Sequence, residues 1–211
     1  MKCSTCNNEN KPDAQFCGIC GTSLSSSDGS SPLDSEGTHS IVQRMTRASR
    51  LDVHLFEEVE ADTSATKQAL LVVAIVALAT GIGTLSTTGI GGLFVGIVLG
   101  IVGWALWAWI VYFIGAKIIP SDTTHADWGQ LARTLGFAQS PGILRALGAV
   151  PGIGLIIFSV ASIWMLIAMV IAVRQALDYT STLRAIVVVL LGFIPYMLLM
   201  SITFALLGSL G

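Results

Sequence analysis

The chain has 211 residues, of which 53% are hydrophobic and only 11% are charged, and its mean hydropathy is +0.76. Its net charge of −2 conceals an asymmetry, because residues 1–67 carry six Lys/Arg and ten Asp/Glu whereas residues 68–211 carry five and three. These values exclude an ordinary soluble domain and predict a polar N-terminal part followed by a membrane part.

All four cysteines lie at the start of the chain, in two CxxC pairs separated by ten residues: Cys3, Cys6, Cys17 and Cys20. Two such pairs on tight turns offer four thiolates in tetrahedral geometry, which suits Zn²⁺. Residues 1–24 are too few to form a hydrophobic core, so we expect the metal to supply most of their folding free energy. Four thiolates leave no open coordination position, which predicts a structural zinc ribbon.

Two disulfides or an iron–sulfur cluster would use the same cysteines. Disulfides need an oxidising compartment, whereas the topology derived below places this end of the chain in the cytosol. Binding of nucleic acid by the ribbon is not expected, because Lys2 and Lys11 are balanced by Glu9 and Asp13 and no basic surface results.

Residues 25–40 are rich in Ser, Gly and Asp and are predicted to form a flexible linker. Over residues 41–66 apolar residues recur at helical spacing, with Arg44, Arg47 and Arg50 in the first half and acidic residues in the second. This pattern predicts an amphipathic juxtamembrane helix. It either lies on the membrane with its arginines near anionic headgroups, or packs on the protein's own loops.

Residues 67–211 are predicted to form the membrane domain. A first helix from about Lys67 to Leu85 and a second over residues 90–116 are apolar enough to cross a bilayer, and neither shows a polar stripe. Three glycines of the second helix recur at four-residue spacing: Gly92, Gly96 and Gly100. They are either simply tolerated in a membrane helix, or form a close-packing face within the fold or between two copies in a homo-oligomer.

Two later apolar runs, 155–173 and 185–210, are also predicted to cross. Four crossings would leave Arg174 and Arg184 outside the cell, against the bias of positive charge towards the cytoplasm.

A short third helix over about residues 135–150 would give five crossings and return both arginines to the inside. It would also place Arg145 in the bilayer, which is costly. We therefore expect an all-α multi-pass protein of the cell membrane with a cytoplasmic N-terminus and about five transmembrane helices, the third one short, and we keep four as the alternative.

The order of several short motifs is similar to that of the Yip domain, also called YIPF, a family of Rab-interacting membrane proteins. The motifs are FEEVEAD at residues 56–62, QAL at 68–70, GFAQSP at 136–141 and the run over 163–177, and the resemblance covers about residues 45–210. It implies five membrane helices and a cytosolic N-terminus. Eukaryotic members act in vesicle traffic and bind Rab-type small GTPases. The leading zinc ribbon and short length are typical of prokaryotic members, for which no Rab cycle is expected.

These features predict a non-enzymatic integral membrane protein that organises membrane or recruits a cytosolic protein partner through residues 1–66, with membrane lipids as its surroundings. The alternative is a transporter or lipid conduit, in which Arg133 and Arg145 meet an anionic lipid headgroup. An intramembrane enzyme is not expected, because the chain contains neither HExxH nor GxSxG and its histidines, at positions 39, 54 and 125, indicate no catalytic arrangement.

Overall fold

The computed structural model describes residues 2, 6, 8–10, 17–20, 40–122 and 124–208. The chain forms two compact units, Met1–His39 and Ser40–Gly211. The predicted domain boundaries after residues 24, 40 and 66 stay predictions.

In the N-terminal unit, Lys2 and Glu9 are joined by an antiparallel β-bridge, and residues 18–20 form a turn. The amide N–H of Gly18 donates a hydrogen bond to Oδ1 of Asn10 at 3.0 Å. The side chain of Asn10 therefore holds this turn beside residues 8–10.

The C-terminal unit is built from helices. Its described residues form seven α-helices: α1 (Ile41–Ser49), α2 (Val53–Ala61), α3 (Ala65–Gly83), α4 (Leu85–Tyr112), α5 (Trp128–Ala138), α6 (Gly154–Ala176) and α7 (Thr182–Gly208). A π-helical turn, Phe113–Ile118, extends α4, and a 3-10 segment, Ser140–Ala149, follows α5. The all-α prediction is confirmed.

Four helices in the described part of the chain are long and apolar enough to cross a membrane: α3, α4 with its π-helical turn, α6 and α7. Gly89 in α4 adopts φ +68°, a backbone conformation that glycine tolerates and other residues rarely adopt. The resulting kink separates residues 85–88 from the rest of the helix, in the interval between the first two helices that the sequence predicts. The prediction of a multi-pass membrane protein is confirmed.

The weaker segment between α4 and α6 is a composite of α5 and the 3-10 segment. Pro141 lacks an amide hydrogen and disfavours α-helical geometry in the residue before it, which explains why α5 ends at Ala138. The segment predicted as a short third helix, about residues 135–150, is therefore α-helical only up to Ala138 and continues as 10 residues of 3-10 helix, and it is not among the four membrane-length helices.

This composite segment runs parallel to α3. Three of its glycines touch α3 in ascending order: Gly136 against Ala69, Gly142 against Val76, and Gly148 against Gly83. A Cβ built on Gly136 would lie only 2.8 Å from the Cβ of Ala69. The two segments therefore start at one end of the bundle and finish at the other.

The two ends of the bundle differ in the charge of their helix ends and turns, with Arg145, which lies level with Gly83, as a charged residue towards the second end. We call the end where α3 begins the near end; Lys67, Lys117, Arg174 and Arg184 lie at helix ends there. We call the end where α3 finishes the far end; its turns, residues 84–89 and 150–154, contain no charged residue.

The structure divides the predicted amphipathic helix into α1 and α2, which we call the platform helices. Leu51 adopts φ +61° and ends the first helical run. Asp52 caps α2, since its carboxylate accepts a hydrogen bond from the amide of His54 at 3.0 Å. Leu55, Phe56 and Val59 are completely buried, so the apolar face of α2 packs against the protein's own helices α5 and α6.

Candidate metal centre and membrane cavity

Three thiol groups of the N-terminal unit, which we call the cysteine cluster, converge on one point. The Sγ atoms of Cys6, Cys17 and Cys20 all lie within 4.8 Å of one another, and those of Cys6 and Cys17 are 3.5 Å apart. Zn–S bonds of about 2.3 Å in a tetrahedron separate neighbouring sulfurs by about 3.8 Å. The spacing therefore fits three corners of a tetrahedral metal site. Cys3, the fourth predicted ligand, lies outside the described residues, and the complete ligand set stays a prediction.

Cys17 has the environment of a metal ligand. Its side chain is buried, whereas Cys6 and Cys20 are exposed. The backbone N–H of Cys20 and then that of Ile19 hydrogen-bond to its sulfur, and they lower the pKa of the Cys17 thiol to about 6. A thiol with this pKa is mostly thiolate at neutral pH, which is the form that binds a metal.

At the near end, a buried arginine joins the platform helices to α3. Arg44 is 1% exposed and donates hydrogen bonds to Glu58 at 3.0 Å, to Asp62 at 2.7 Å and to Gln68 at 2.9 Å. Arg47 pairs with Asp52 and Glu58 in the same way. These two arginines are therefore bound to the protein itself and not turned towards a membrane surface.

Arg133 attaches the end of α2 to α5. Its Nε donates to the backbone oxygen of Val59 at 3.0 Å, and its Nη2 donates to that of Glu60. The last carbonyls of an α-helix have no partner within the helix, and a cation there also interacts favourably with the helix dipole. The expectation that Arg133 meets a lipid headgroup is therefore wrong, because its guanidinium is bound to α2.

A polar cavity of about 510 Å³ lies beside α2 at the near end. It is lined by Glu57, Glu60, Arg174, Gln175, Asp178, Tyr179 and Thr180. Gln175 donates to the carboxylate of Glu57 at 2.9 Å, which ties α6 to α2. Burial, and then the nearby carboxylate of Asp178, raise the pKa of Glu60 to about 7. The contact between α2 and the α6–α7 turn therefore contains a group that titrates near neutral pH.

The π-helical turn at the end of α4 is fixed by a tyrosine hydroxyl. The Oη of Tyr179 lies 2.8 Å from the carbonyl oxygen of Gly115 and 2.7 Å from that of Ile119. A single hydroxyl proton is shared between these two acceptors. The connection between α6 and α7 is thereby held against the end of α4, which confirms that both lie at the near end.

A second cavity, which we call the membrane cavity, lies among α3, α4, α6, α7 and the 3-10 segment. Its volume is about 670 Å³, it is partly open, and its walls are mostly apolar. Arg145, Trp107 and Tyr196 are among its lining residues. The three glycines of the predicted face also line it: Gly92, Gly96 and Gly100. Arg145 is the only charged residue among the described residues that line it.

Two donors in the membrane cavity have no acceptor. The Nη2 of Arg145 donates to Oγ of Ser162 at 2.8 Å, and its guanidinium carbon lies 4.5 Å from the centre of the Phe158 ring. Its Nε is buried and makes no hydrogen bond with any described residue. The same holds for Nε1 of Trp107, whose ring packs against Phe193 with centroids 4.8 Å apart. Both atoms are fully buried in the wall, so the groups of Arg145 that a ligand in the cavity can reach are those at the tip of its guanidinium.

The predicted glycine face contacts the protein's own helices. A Cβ on Gly100 would lie 2.9 Å from the Cβ of Ala77 in α3, whereas one on Gly96 would meet no atom within 4 Å. Gly100 therefore serves the close approach of α3 and α4. An additional homo-oligomeric contact through this face stays a prediction.

Comparison with known proteins agrees with the two units. The family model of the Yip1 domain matches residues 53–202, and that of a zinc-ribbon domain matches residues 2–24. No curated protein and no solved structure matches the chain.

Proposed function

The chain belongs to the Yip1 domain family, and on this premise we propose that it holds a zinc ribbon at the cytoplasmic face of the cell membrane and recruits a cytosolic protein there. The observation that carries the proposal is the cysteine cluster, which belongs to a small unit of its own at the N-terminus of a multi-pass membrane protein. A site closed by four thiolates offers no position for a substrate. We accordingly propose a binding function without catalysis.

Zn²⁺ is the proposed metal, with Cys3 as the fourth ligand beside Cys6, Cys17 and Cys20. Thiolates select Zn²⁺ or iron, and a tetrahedral set of four on short turns is typical of structural zinc sites. Elemental analysis of the purified full-length protein tests this proposal. One zinc per chain would support it, and iron in place of zinc would contradict it.

The cytoplasmic orientation of the near end is supported by charge. Four basic residues lie at helix ends there: Lys67, Lys117, Arg174 and Arg184. The far-end turns contain none. Basic flanks of membrane helices favour the cytoplasm. Reporter fusions after Ser121 and Tyr179 should both report a cytoplasmic location.

Ile19 is the proposed contact residue for the cytosolic partner. It lies between Cys17 and Cys20 and is 74% exposed, so a metal-stabilised turn presents a large apolar side chain to solvent. Exposed apolar side chains on rigid turns are typical of protein contacts.

The test is cross-linking of the full-length protein in native membranes, followed by identification of captured proteins. Ile19→Asp should keep the metal and lose the partner, whereas Cys17→Ser should lose both. Lys2→Gln, a polar substitution at a residue whose side chain is 69% exposed that adds no negative charge beside Glu9, is the control and should keep both. Absence of any metal-dependent partner would contradict the recruitment function.

A transporter or lipid conduit is the second candidate function, and the membrane cavity is the observation that favours it. Reconstituted protein should then move lipid or solute across vesicle membranes, and Arg145→Ala should slow that movement. Vesicles in which the wild-type protein moves neither would contradict this candidate.

A further inference from the structure

The membrane cavity contains an arginine whose charge the described part of the protein does not balance. Arg145 donates to the neutral hydroxyl of Ser162, and no carboxylate among the described residues pairs with it. Arginine stays protonated in proteins. A half-buried charge without a counter-ion is costly, and the cost falls when an anion pairs with the guanidinium. The site therefore favours a ligand with a negative charge.

Polar groups cluster with Arg145 at the far end of the cavity. The backbone of Gly83 touches that of Arg145, and Thr84 follows at the end of α3. Thr88, just before the kink in α4, also lines this region. The hydroxyls of Thr84 and Thr88 donate to backbone carbonyls of the preceding turn, those of Thr80 and Thr84, so the guanidinium of Arg145 is the group here that can donate to an anion.

The remaining walls are apolar. They are formed by branched, aromatic and thioether side chains: Val76, Leu99, Met165, Met169, Phe193 and Met200. A small hydrophilic anion would find polar partners at Arg145 but none along these apolar walls. A volume of about 670 Å³ lies within the range of about 300–1,000 Å³ that small-molecule sites occupy. Polar groups at one end and apolar walls elsewhere favour an amphiphile.

The opening of the cavity indicates the bilayer as the source of that amphiphile. Val95 of α4 and Met197 of α7 line the cavity and are 48% and 55% exposed. Apolar side chains exposed on membrane helices face hydrocarbon. The cavity is therefore bordered by surface that lipid covers.

We propose that the membrane cavity binds one bilayer lipid with an anionic phosphate headgroup. The phosphate oxygens accept hydrogen bonds from Arg145, and the apolar walls hold the beginning of the acyl chains. The inference concerns binding alone, so it stands apart from recruitment by the ribbon and from any movement of lipid.

Native mass spectrometry of the full-length protein in detergent micelles tests the proposal, with phosphatidylglycerol and phosphatidylcholine of identical chains as probes. The wild-type protein should bind one phosphatidylglycerol more tightly than phosphatidylcholine. Arg145→Gln should weaken phosphatidylglycerol binding by roughly 10- to 100-fold, the usual effect of losing hydrogen bonds to a charged group. Arg184→Gln, the same change at an exposed arginine outside the cavity, should leave binding unchanged.

A pair of glycine variants keeps the test valid where Arg145→Gln does not fold. A Cβ built on Gly96 or on Gly91 meets no atom within 4 Å, so a side chain can begin at both positions of α4 without displacing a neighbour. Only Gly96 lines the cavity. Gly96→Leu should therefore reduce phosphatidylglycerol binding with Arg145 intact, and Gly91→Leu should not.

Three results would overturn the inference. Phosphatidylglycerol binding that survives both Arg145→Gln and Gly96→Leu would show lipid on the outer surface only. Equal binding of phosphatidylcholine would show that the negative charge is not recognised. Displacement of phosphatidylglycerol by millimolar inorganic phosphate would show that the site takes a soluble phosphate and not a lipid.

Discussion

Arg133→Gln should weaken the docking of α2 on the bundle and leave the membrane helices folded. The guanidinium of Arg133 is 6% exposed and bonds to the carbonyls of Val59 and Glu60 at the end of α2. Glutamine is neutral and shorter, so it cannot reach both carbonyls. The contacts of Arg133 with α2 would be lost, while the contacts among α3, α4, α6 and α7 involve other residues.

The expected effect is moderate in size. A hydrogen bond from a charged donor contributes about 1.5–3 kcal/mol. Two such bonds to neighbouring carbonyls are not additive, and water can reach these carbonyls once α2 separates. We therefore expect the docking free energy of α2 to fall by about 2–3 kcal/mol. This loss corresponds to roughly a 30- to 150-fold rise in the equilibrium constant for opening.

Hydrogen–deuterium exchange of the full-length protein in micelles measures this opening directly. Amides of α2 should lose protection by that factor in Arg133→Gln, and amides of α3 and α6 should not. Arg184→Gln at the same end should change neither, because Arg184 is exposed. Unchanged protection of α2, or an equal loss across all helices, would refute the role of Arg133 as a local clamp.

Three further predictions concern single side chains. Since burial and the Asp178 carboxylate raise the pKa of Glu60 from 4.5 to about 7, the folded protein binds this proton more tightly than the unfolded chain. The docking of α2 should therefore weaken as pH rises from about 4.5 through 7, and Glu60→Gln should remove this dependence in exchange measurements. Cys17→Ser should reduce bound metal well below one ion per chain in elemental analysis, because it removes the buried thiolate. Tyr179→Phe should destabilise the protein by about 1–2 kcal/mol in thermal unfolding, because it removes the donor to the carbonyls of Gly115 and Ile119. Tyr112→Phe is the control and should have little effect, because the hydroxyl of Tyr112 makes no hydrogen bond with a described residue.

The features that the sequence predicts well are those set by local chemistry. An apolar run of the required length has few alternatives to a membrane helix. The turn before residue 90 follows from Gly89, whose φ of +68° other residues rarely adopt. The CxxC spacing likewise brings Cys17 and Cys20 together on one turn whatever the rest of the chain does.

The features that the sequence does not reveal depend on which helices become neighbours. Arg44 looks like a solvated or membrane-facing charge until α2 and α3 supply Glu58, Asp62 and Gln68. Arg133 finds its acceptors 73 and 74 residues away along the chain. The periodicity of apolar residues carries no information on such distant pairs. In the sequence, Arg44 and Arg133, which fix α2, therefore look the same as Arg145, whose Nε has no acceptor among the described residues.

The number of crossings depends on the length and direction of the composite third segment. The stretch that lies beside α3 begins at Gly136, and its three α-helical residues at about 1.5 Å each and ten 3-10 residues at about 2.0 Å each extend over about 25 Å, against a hydrocarbon core of about 30 Å. This stretch is somewhat shorter than a full span, and α3 and α6 cover its irregular part, as non-α-helical backbone in a membrane requires. Because it runs parallel to α3, α6 returns to the near end, and Lys117 and Arg174 come to lie on the same side. A segment that turned back would place these two charges on opposite sides, so the direction of the segment and the charge bias agree with five traversals, and the fifth crossing, beside the four membrane-length helices, stays a prediction.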